Sequence, residues 1–371
     1  MRFKSDVGSS PPPFKRVVMW TPSLGRLFGK KEKSIMCFIN FSGVFGVYEG
    51  TNIIESGAYG FADKNFRIKN NTSFSYGTAS GTKGFTTVSI LTLAAENKLN
   101  LDDSIKKLLN TKAENYGSLD WLSEKVTVRN LLNHTSGVPD YFDEDYVDDF
   151  EEALCGNANY HYEKPADFFP LIENMWKKQQ APYSSTGTFK YSNGGFVLLA
   201  AVAEVVSGMS FPLFVKQHVF TKLNMKSTGF FRLDETPPDG IVCATGYQQN
   251  GRSNIYKIPV IGGGDGGSFT TLADMAQFWH NLDPELNPES TISSFVEKAW
   301  SPCIEGDDGL YGLGFWMRKE NPHIVFLEGF DPGVQFFSFY NRVTKRSLTI
   351  CLNDEQSNCM EVFEKYFKLI Q

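Results

Sequence analysis

Strand-like segments stand at both ends of this chain, and helical segments fill the space between them. Residues 37–48 and 53–61 alternate apolar and small or polar side chains around a turn at Glu49-Gly-Thr-Asn52, the pattern of a hairpin. Residues 323–329, 334–340 and 347–352 read as three further strands, and residues 360–370 as a closing amphipathic helix. The middle carries three- and four-residue apolar spacing instead, at 80–97, 126–137, 196–207, 211–223 and 272–282. Two consecutive domains do not produce that order. A helical lobe inserted into a sheet lobe does, so the expected class is α+β: residues 36–75 with 285–371 as the sheet lobe and 76–284 as the helical lobe.

The strongest chemical signal opens the first of those helices. Ser80-Gly-Thr-Lys83 puts a hydroxyl and an amine three residues apart, on one face of a helix. Ser80 falls at the helix start, where free N–H groups and the helix dipole favour negative charge. A nucleophile, a nearby base and N–H donors are what acyl transfer requires. The tetrapeptide alone is common, and a serine cap followed by a surface lysine reads equally well from four residues.

Composition excludes some classes. The 371 residues carry a net charge of −6, which gives no argument for nucleic acid binding. Residues 1–35 differ: Arg2, Lys4, Lys15, Arg16, Arg26, Lys30, Lys31 and Lys33 face only Asp6 and Glu32, and with Pro11-Pro-Pro13 they read as a flexible basic tail. No signal peptide is evident, and no apolar run reaches the length of a transmembrane helix. Six scattered cysteines without C-x-x-C read as reduced thiols. A cytoplasmic location is the expectation, or an extracytoplasmic one if an export signal is missing. Gly262-x-Gly264-x-x-Gly267 matches a dinucleotide fingerprint as a string, but Pro259 precedes it and no βαβ unit surrounds it, so it reads as a flexible loop. The five histidines have no zinc spacing, and no serine stands in G-x-S-x-G.

Taken together, the motifs resemble the serine beta-lactamase and penicillin-binding-protein superfamily, most of all its class C-type branch. Ser80-Gly-Thr-Lys83 is similar to the first motif and Tyr191-Ser-Asn193 to the second, in its tyrosine form. Leu99-Asn-Leu-Asp-Asp103, Leu131-Leu-Asn-His-Thr-Ser-Gly-Val-Pro139 and Gly266-Gly-Ser-Phe-Thr-Thr-Leu-Ala-Asp274 are family-like phrases, in order, over roughly residues 38–353. The resemblance implies a beta-lactamase/transpeptidase-like fold: an antiparallel sheet flanked by terminal helices, with the active site between sheet and helical lobe.

By that resemblance Ser80 attacks an amide, ester or lactam carbonyl. Lys83, kept neutral by burial, relays the proton, Tyr191 is its partner base and acid, and Asn193 holds Lys83 and substrate. The oxyanion sits between the N–H groups of Ser80 and Phe330. No metal or cofactor is called for, and the partner is a small-molecule or peptide-like substrate; the oligomeric state stays open. The third motif departs from the pattern. Leu327-Glu328-Gly329 keeps the glycine, but Leu327 replaces the cation that would hold a substrate carboxylate, and Glu328 takes the hydroxyl position. A carboxylate facing the cleft there would repel another by several kcal/mol at about 4 Å and an effective dielectric near 20. Strand residues alternate faces, so Glu328 points into the cleft or away from it. Two functions remain: a beta-lactamase-related serine hydrolase working through acyl-Ser80, or a catalytically impaired relative that binds or regulates. His134 reads as structural.

Overall fold

A computed structural model describes residues 40–179, 187–306 and 309–371. The basic tail and the first part of the expected opening strand lie outside them. The frame is an eight-stranded antiparallel sheet. We label its strands β1 (Gly43–Glu49), β2 (Asn52–Tyr59), β3 (Ile304–Glu305), β4 (Leu310–Tyr311), β5 (Trp316–Arg318), β6 (Asn321–Asp331), β7 (Val334–Asn341) and β8 (Arg346–Leu352). Their spatial order is β2-β1-β8-β7-β6-β5-β4-β3. The hairpin at the start of the chain therefore lies beside the last strand, with Gly43 opposite Leu352 and Glu49 opposite Arg346. The mixed architecture expected from the order of segments is the one observed.

Both faces of the central strands β6, β7 and β8 are covered, which explains why they read as nearly continuous apolar runs, whereas the edge strand β2 is exposed. On β6, Val325 and Leu327 join the large cluster shared with the helical lobe. Ile324 and Phe326 join a second cluster under the closing helix (Met360–Tyr366), together with Phe337, Phe339, Val362 and Phe367. Period-two alternation thus sorts the strand between two cores.

Two helices position the site. Helix α1 (Thr82–Ala95) is buried on almost every side, as its uniformly apolar and small composition requires. Helix α2 (Asn193–Ser207) is buried from Gly194 to Ala203. Ser192 caps its start by accepting from Gly195 N at 3.0 Å, and Gly208, at φ 72°, ends it in the left-handed conformation. A third, α3 (Leu272–Leu282), packs on β1 and β8. Among the described residues no single helix is long and apolar enough to cross a membrane.

Several local expectations need correction. The helix expected over 126–137 is only Val128–Leu132, capped by Thr127. It stops because Asn133 turns its side chain back to Thr135 and His134 adopts φ 56°. Residues 211–223 form a short α-helix (Phe211–Val215) that widens into a π-helical turn (Lys216–Phe220). Thr271 caps α3 by accepting from Asp274 N at 3.1 Å. The reciprocal half of that capping box is missing, because Asp274 is used elsewhere: it accepts from Lys226 N, Ser227 N and Thr228 Oγ1.

Candidate active site

Ser80 does not lie in α1 itself. It occupies a single 3₁₀ turn (Ala79–Gly81) immediately before it. Ala79 holds φ 44°, a conformation that costs a non-glycine residue energy and that clusters at functional sites. A buried hydroxyl network fixes the turn: Thr78 Oγ1 meets Thr82 Oγ1 at 2.9 Å and Ser268 Oγ at 2.7 Å, and Thr82 Oγ1 donates to Ala79 O at 2.8 Å. Ser80 is half-buried, while Lys83, one turn along α1, is only 2% exposed.

The Lys83 ammonium has three donors and three acceptors within reach. Nζ donates to Ser80 Oγ at 3.0 Å, to Asn193 Oδ1 at 2.6 Å and to the backbone oxygen of Asp265 at 2.5 Å. The two sequence motifs, 110 residues apart, therefore meet at one nitrogen. The Tyr191 ring covers the same nitrogen, with its centroid 4.9 Å away. His134 explains how Tyr191-Ser-Asn193 is held. Its Nδ1 accepts from Ser192 N at 3.1 Å, its ring lies 4.4 Å from that of Tyr191, and it is 1% exposed. Ser192 Oγ adds a bond to Pro139 O at 3.0 Å. The structural reading of His134 fits these contacts.

Strand β6 forms the opposite wall. A Cβ on Gly329 would fall 2.3 Å from Thr78 O and 2.5 Å from Ser80 N, so only glycine lets the strand approach the Ser80 turn this closely. Asp331 and Val334 flank the two-residue turn Pro332-Gly333, which makes them a hydrogen-bonded pair. Phe330 and Gln335, next along, are then the non-bonded pair, and the Phe330 N–H points away from β7, out of the edge that β5 leaves open beyond Phe326. Its neighbour Gly329 is the residue that packs on Ser80 N. Leu327 is 2% exposed and packs on Gly84, within the apolar cluster. Glu328 is half-buried and, by alternation, shares the face of Phe326 and Phe330 rather than that of Leu327 and Gly329.

Three acidic residues that the motifs do not contain surround Lys83. Asp140 holds Asn193, accepting from its Nδ2 at 3.1 and 3.0 Å. Burial pushes its carboxyl up to about 6, against the pull of the Phe142 N–H and of Lys83. Asp265 accepts from Tyr141 Oη at 2.6 Å, and burial raises its carboxyl too, opposed by the Lys83 charge. Asp331 is pushed up to about 7 by burial, again opposed by Lys83. The loop 262–267 read as flexible is in fact anchored to α1 and to the turn before it: Thr86 Oγ1 donates to Gly264 O at 2.6 Å, and Gly267 N to Ala79 O at 3.3 Å. Strand β6 and this loop had offered one sequence signal, a lone acid beside glycines at Asp265 and Asp331. Their convergence on Lys83 had none.

The sequence profile of a family described as Beta-lactamase matches residues 40–369. The chain belongs to the beta-lactamase family. It is 33% identical to a penicillin-binding protein from Bacillus halodurans of known structure, with TM-score 0.76 over 89% of this chain and 97% of that one. It is 26% identical to Protein flp of Staphylococcus aureus (strain MW2) over 80% of this chain and 56% of that protein. A putative penicillin-binding protein, PbpX, of Bacillus subtilis (strain 168) is 25% identical over 90% of this chain and 76% of its own length. The chain thus spans little more than half the length of flp.

Within this beta-lactamase fold the raised carboxyls carry a sign for stability. Asp140 and Asp331 start from 3.8 and rise to about 6 and about 7. The native state therefore holds protons that the unfolded chain has released. That contribution is fully present below about pH 4 and is lost as pH rises through 6 and 7. Asp331 faces Lys83 on α1 and Asp265 and Tyr141 in the loops. Thermal unfolding followed from pH 5 to pH 8 should show falling stability. Asp331→Asn should flatten the fall and stabilise the protein at pH 8, by on the order of 2 kcal/mol. A variant as pH-dependent as the parent would contradict this.

Proposed function

We propose that this beta-lactamase-family chain is a serine hydrolase that works by acyl transfer through Ser80, on a small amide or ester without a carboxylate beside the scissile bond. The observation that carries the reading is the 3.0 Å contact between the buried Lys83 Nζ and the accessible Ser80 Oγ, with Asn193 on the same nitrogen. In the first step, with the Lys83–Tyr191 pair one proton short (a neutral Lys83 amine or a Tyr191 phenolate), Ser80 Oγ bonds to the carbonyl carbon and its proton passes to that pair. The carbonyl oxygen becomes an oxyanion between the N–H groups of Ser80 and Phe330. As the bond to the leaving nitrogen or oxygen breaks, that atom takes the proton from Tyr191. Water then attacks the acyl carbon, gives a proton to the same pair, and releases the acid with Ser80 restored.

One observation favours a second reading, a binding or regulatory relative with impaired catalysis. The position of the carboxylate-holding cation is a buried leucine, Leu327. Intact-mass analysis after exposure to a fluorophosphonate and to a labelled penicillin separates the two. We expect a single phosphonate adduct, lost in Ser80→Ala, and no penicillin adduct, since Leu327 offers no cation. Absence of any adduct on folded protein would favour the binding relative. Penicillin labelling would overturn the exclusion of carboxylate substrates.

A further inference from the structure

Asp331 is the odd member of the acidic residues around Lys83. Asp140 has the Asn193 amide and the Phe142 N–H as partners, and Asp265 has the Tyr141 hydroxyl. The Asp331 carboxylate has no hydrogen-bond or ion-pair partner among the described residues, yet it is only partly exposed. A carboxylate withdrawn from water without a donor is expensive to keep. Its raised proton affinity shows that expense, and such groups gather where a ligand completes the site.

Its position gives the side chain a job. Asp331 lies two residues beyond Gly329, on the same face of β6, and Gly329 packs on Ser80 N. Phe330 between them supplies the second oxyanion N–H. Tyr191, which protonates the leaving atom, comes from the segment leading into α2 and reaches the site at Lys83 Nζ, beside Asn193. The acyl part of a substrate therefore extends along β6, towards Asp331. The same wall has lost its cation at Leu327. Near the scissile bond this wall offers the unpartnered Asp331 carboxyl and, among the described residues, no cation of its own; the donors of Lys83, on the facing helix α1, are already used.

We propose that Asp331 is a specificity-determining residue that receives an ammonium group on the acyl part of the substrate, which selects aminoacyl amides and esters over N-acylated or anionic ones. The inference rests on acyl transfer at Ser80. A salt-bridged hydrogen bond of this kind corresponds to about a 10- to 100-fold preference.

The test compares alanine p-nitroanilide, as both enantiomers, with N-acetylalanine p-nitroanilide. The readout is the ratio of kcat/KM for the free amine to that for the acetylated substrate. The expected ratio is about 10 to 100 for the better enantiomer, falling to within about threefold of unity in Asp331→Asn and partly restored in Asp331→Glu. A parent ratio near unity, or one that Asp331→Asn leaves unchanged, would overturn the assignment; a parallel loss on both substrates counts as unchanged. Calorimetry on Ser80→Ala protein with alaninamide and N-acetylalaninamide makes the same comparison without turnover. If the parent neither takes a fluorophosphonate nor cleaves either anilide, the acyl-transfer reading fails. Amine-selective binding that Asp331→Asn abolishes still supports the ammonium site in that case, and its absence overturns it.

Discussion

Lys83→Met should slow the labelling of Ser80 by a fluorophosphonate by at least about 100-fold, the lower range for losing a positioned proton acceptor. Methionine keeps the length of the stem and its packing against Phe196, whose ring centroid lies 5.6 Å from Nζ. What disappears is one nitrogen that meets Ser80 Oγ, Asn193 Oδ1 and Asp265 O. Ser80 loses its proton path, and Asn193 keeps Asp140 on its Nδ2 but loses the donor to its Oδ1. Asp140, Asp265 and Asp331 also lose the positive charge that draws their proton affinities down. Pseudo-first-order labelling rates from intact mass, with near-ultraviolet circular dichroism to confirm folding, would read the effect. A folded variant labelled within threefold of the parent rate would remove Lys83 from the mechanism.

The second large effect is expected from Gly329→Val. The added Cβ would lie 2.3 Å from Thr78 O, 2.5 Å from Ser80 N and 2.8 Å from Gly81 N. All three are backbone atoms, so no side chain can swing aside. The Ser80 turn is itself pinned by Thr78, Thr82 and Ser268, so β6 has to move instead. Overpacking of this kind costs roughly 3 kcal/mol. The movement also carries the Phe330 N–H away from Ser80, and losing one oxyanion donor typically costs about 100- to 1000-fold in rate. Labelling and thermal unfolding should fall together. Gly195→Ala is the control: its Cβ would meet only Leu131 Cδ2 at 3.4 Å and the Ser192 side chain beyond it, an ordinary contact. Equal behaviour of the two variants would contradict the packing argument.

The two variants also separate what could be read in advance from what could not. Ser80 with Lys83, and Tyr191 with Asn193, are local patterns: the first pair is three residues apart across a turn and the start of α1, and the second flanks Ser192, the cap of α2. The strands at both ends and the helices between them are equally local, since burial of one stripe leaves a period in the sequence and burial of both faces a continuous apolar run. Gly329 was legible as a motif residue, although the reason for it, the backbone of the Ser80 turn against its α-carbon, was not.

The sequence by itself determined the α+β order, the candidate pair Ser80 and Lys83, and the leucine at position 327. Only the tertiary structure decided that Asp140, Asp265 and Asp331 converge on Lys83, that His134 braces Tyr191-Ser-Asn193, and that Leu327 rather than Glu328 is the one that packs on α1. The physical reason is that the acids stand in loops and at a hairpin tip, and His134 at the frayed end of a helix, where side-chain direction follows no period. Their positions are set by what packs beneath them: the buried α1, the hydroxyls of Thr78, Thr82 and Ser268, and a sheet filled on both sides.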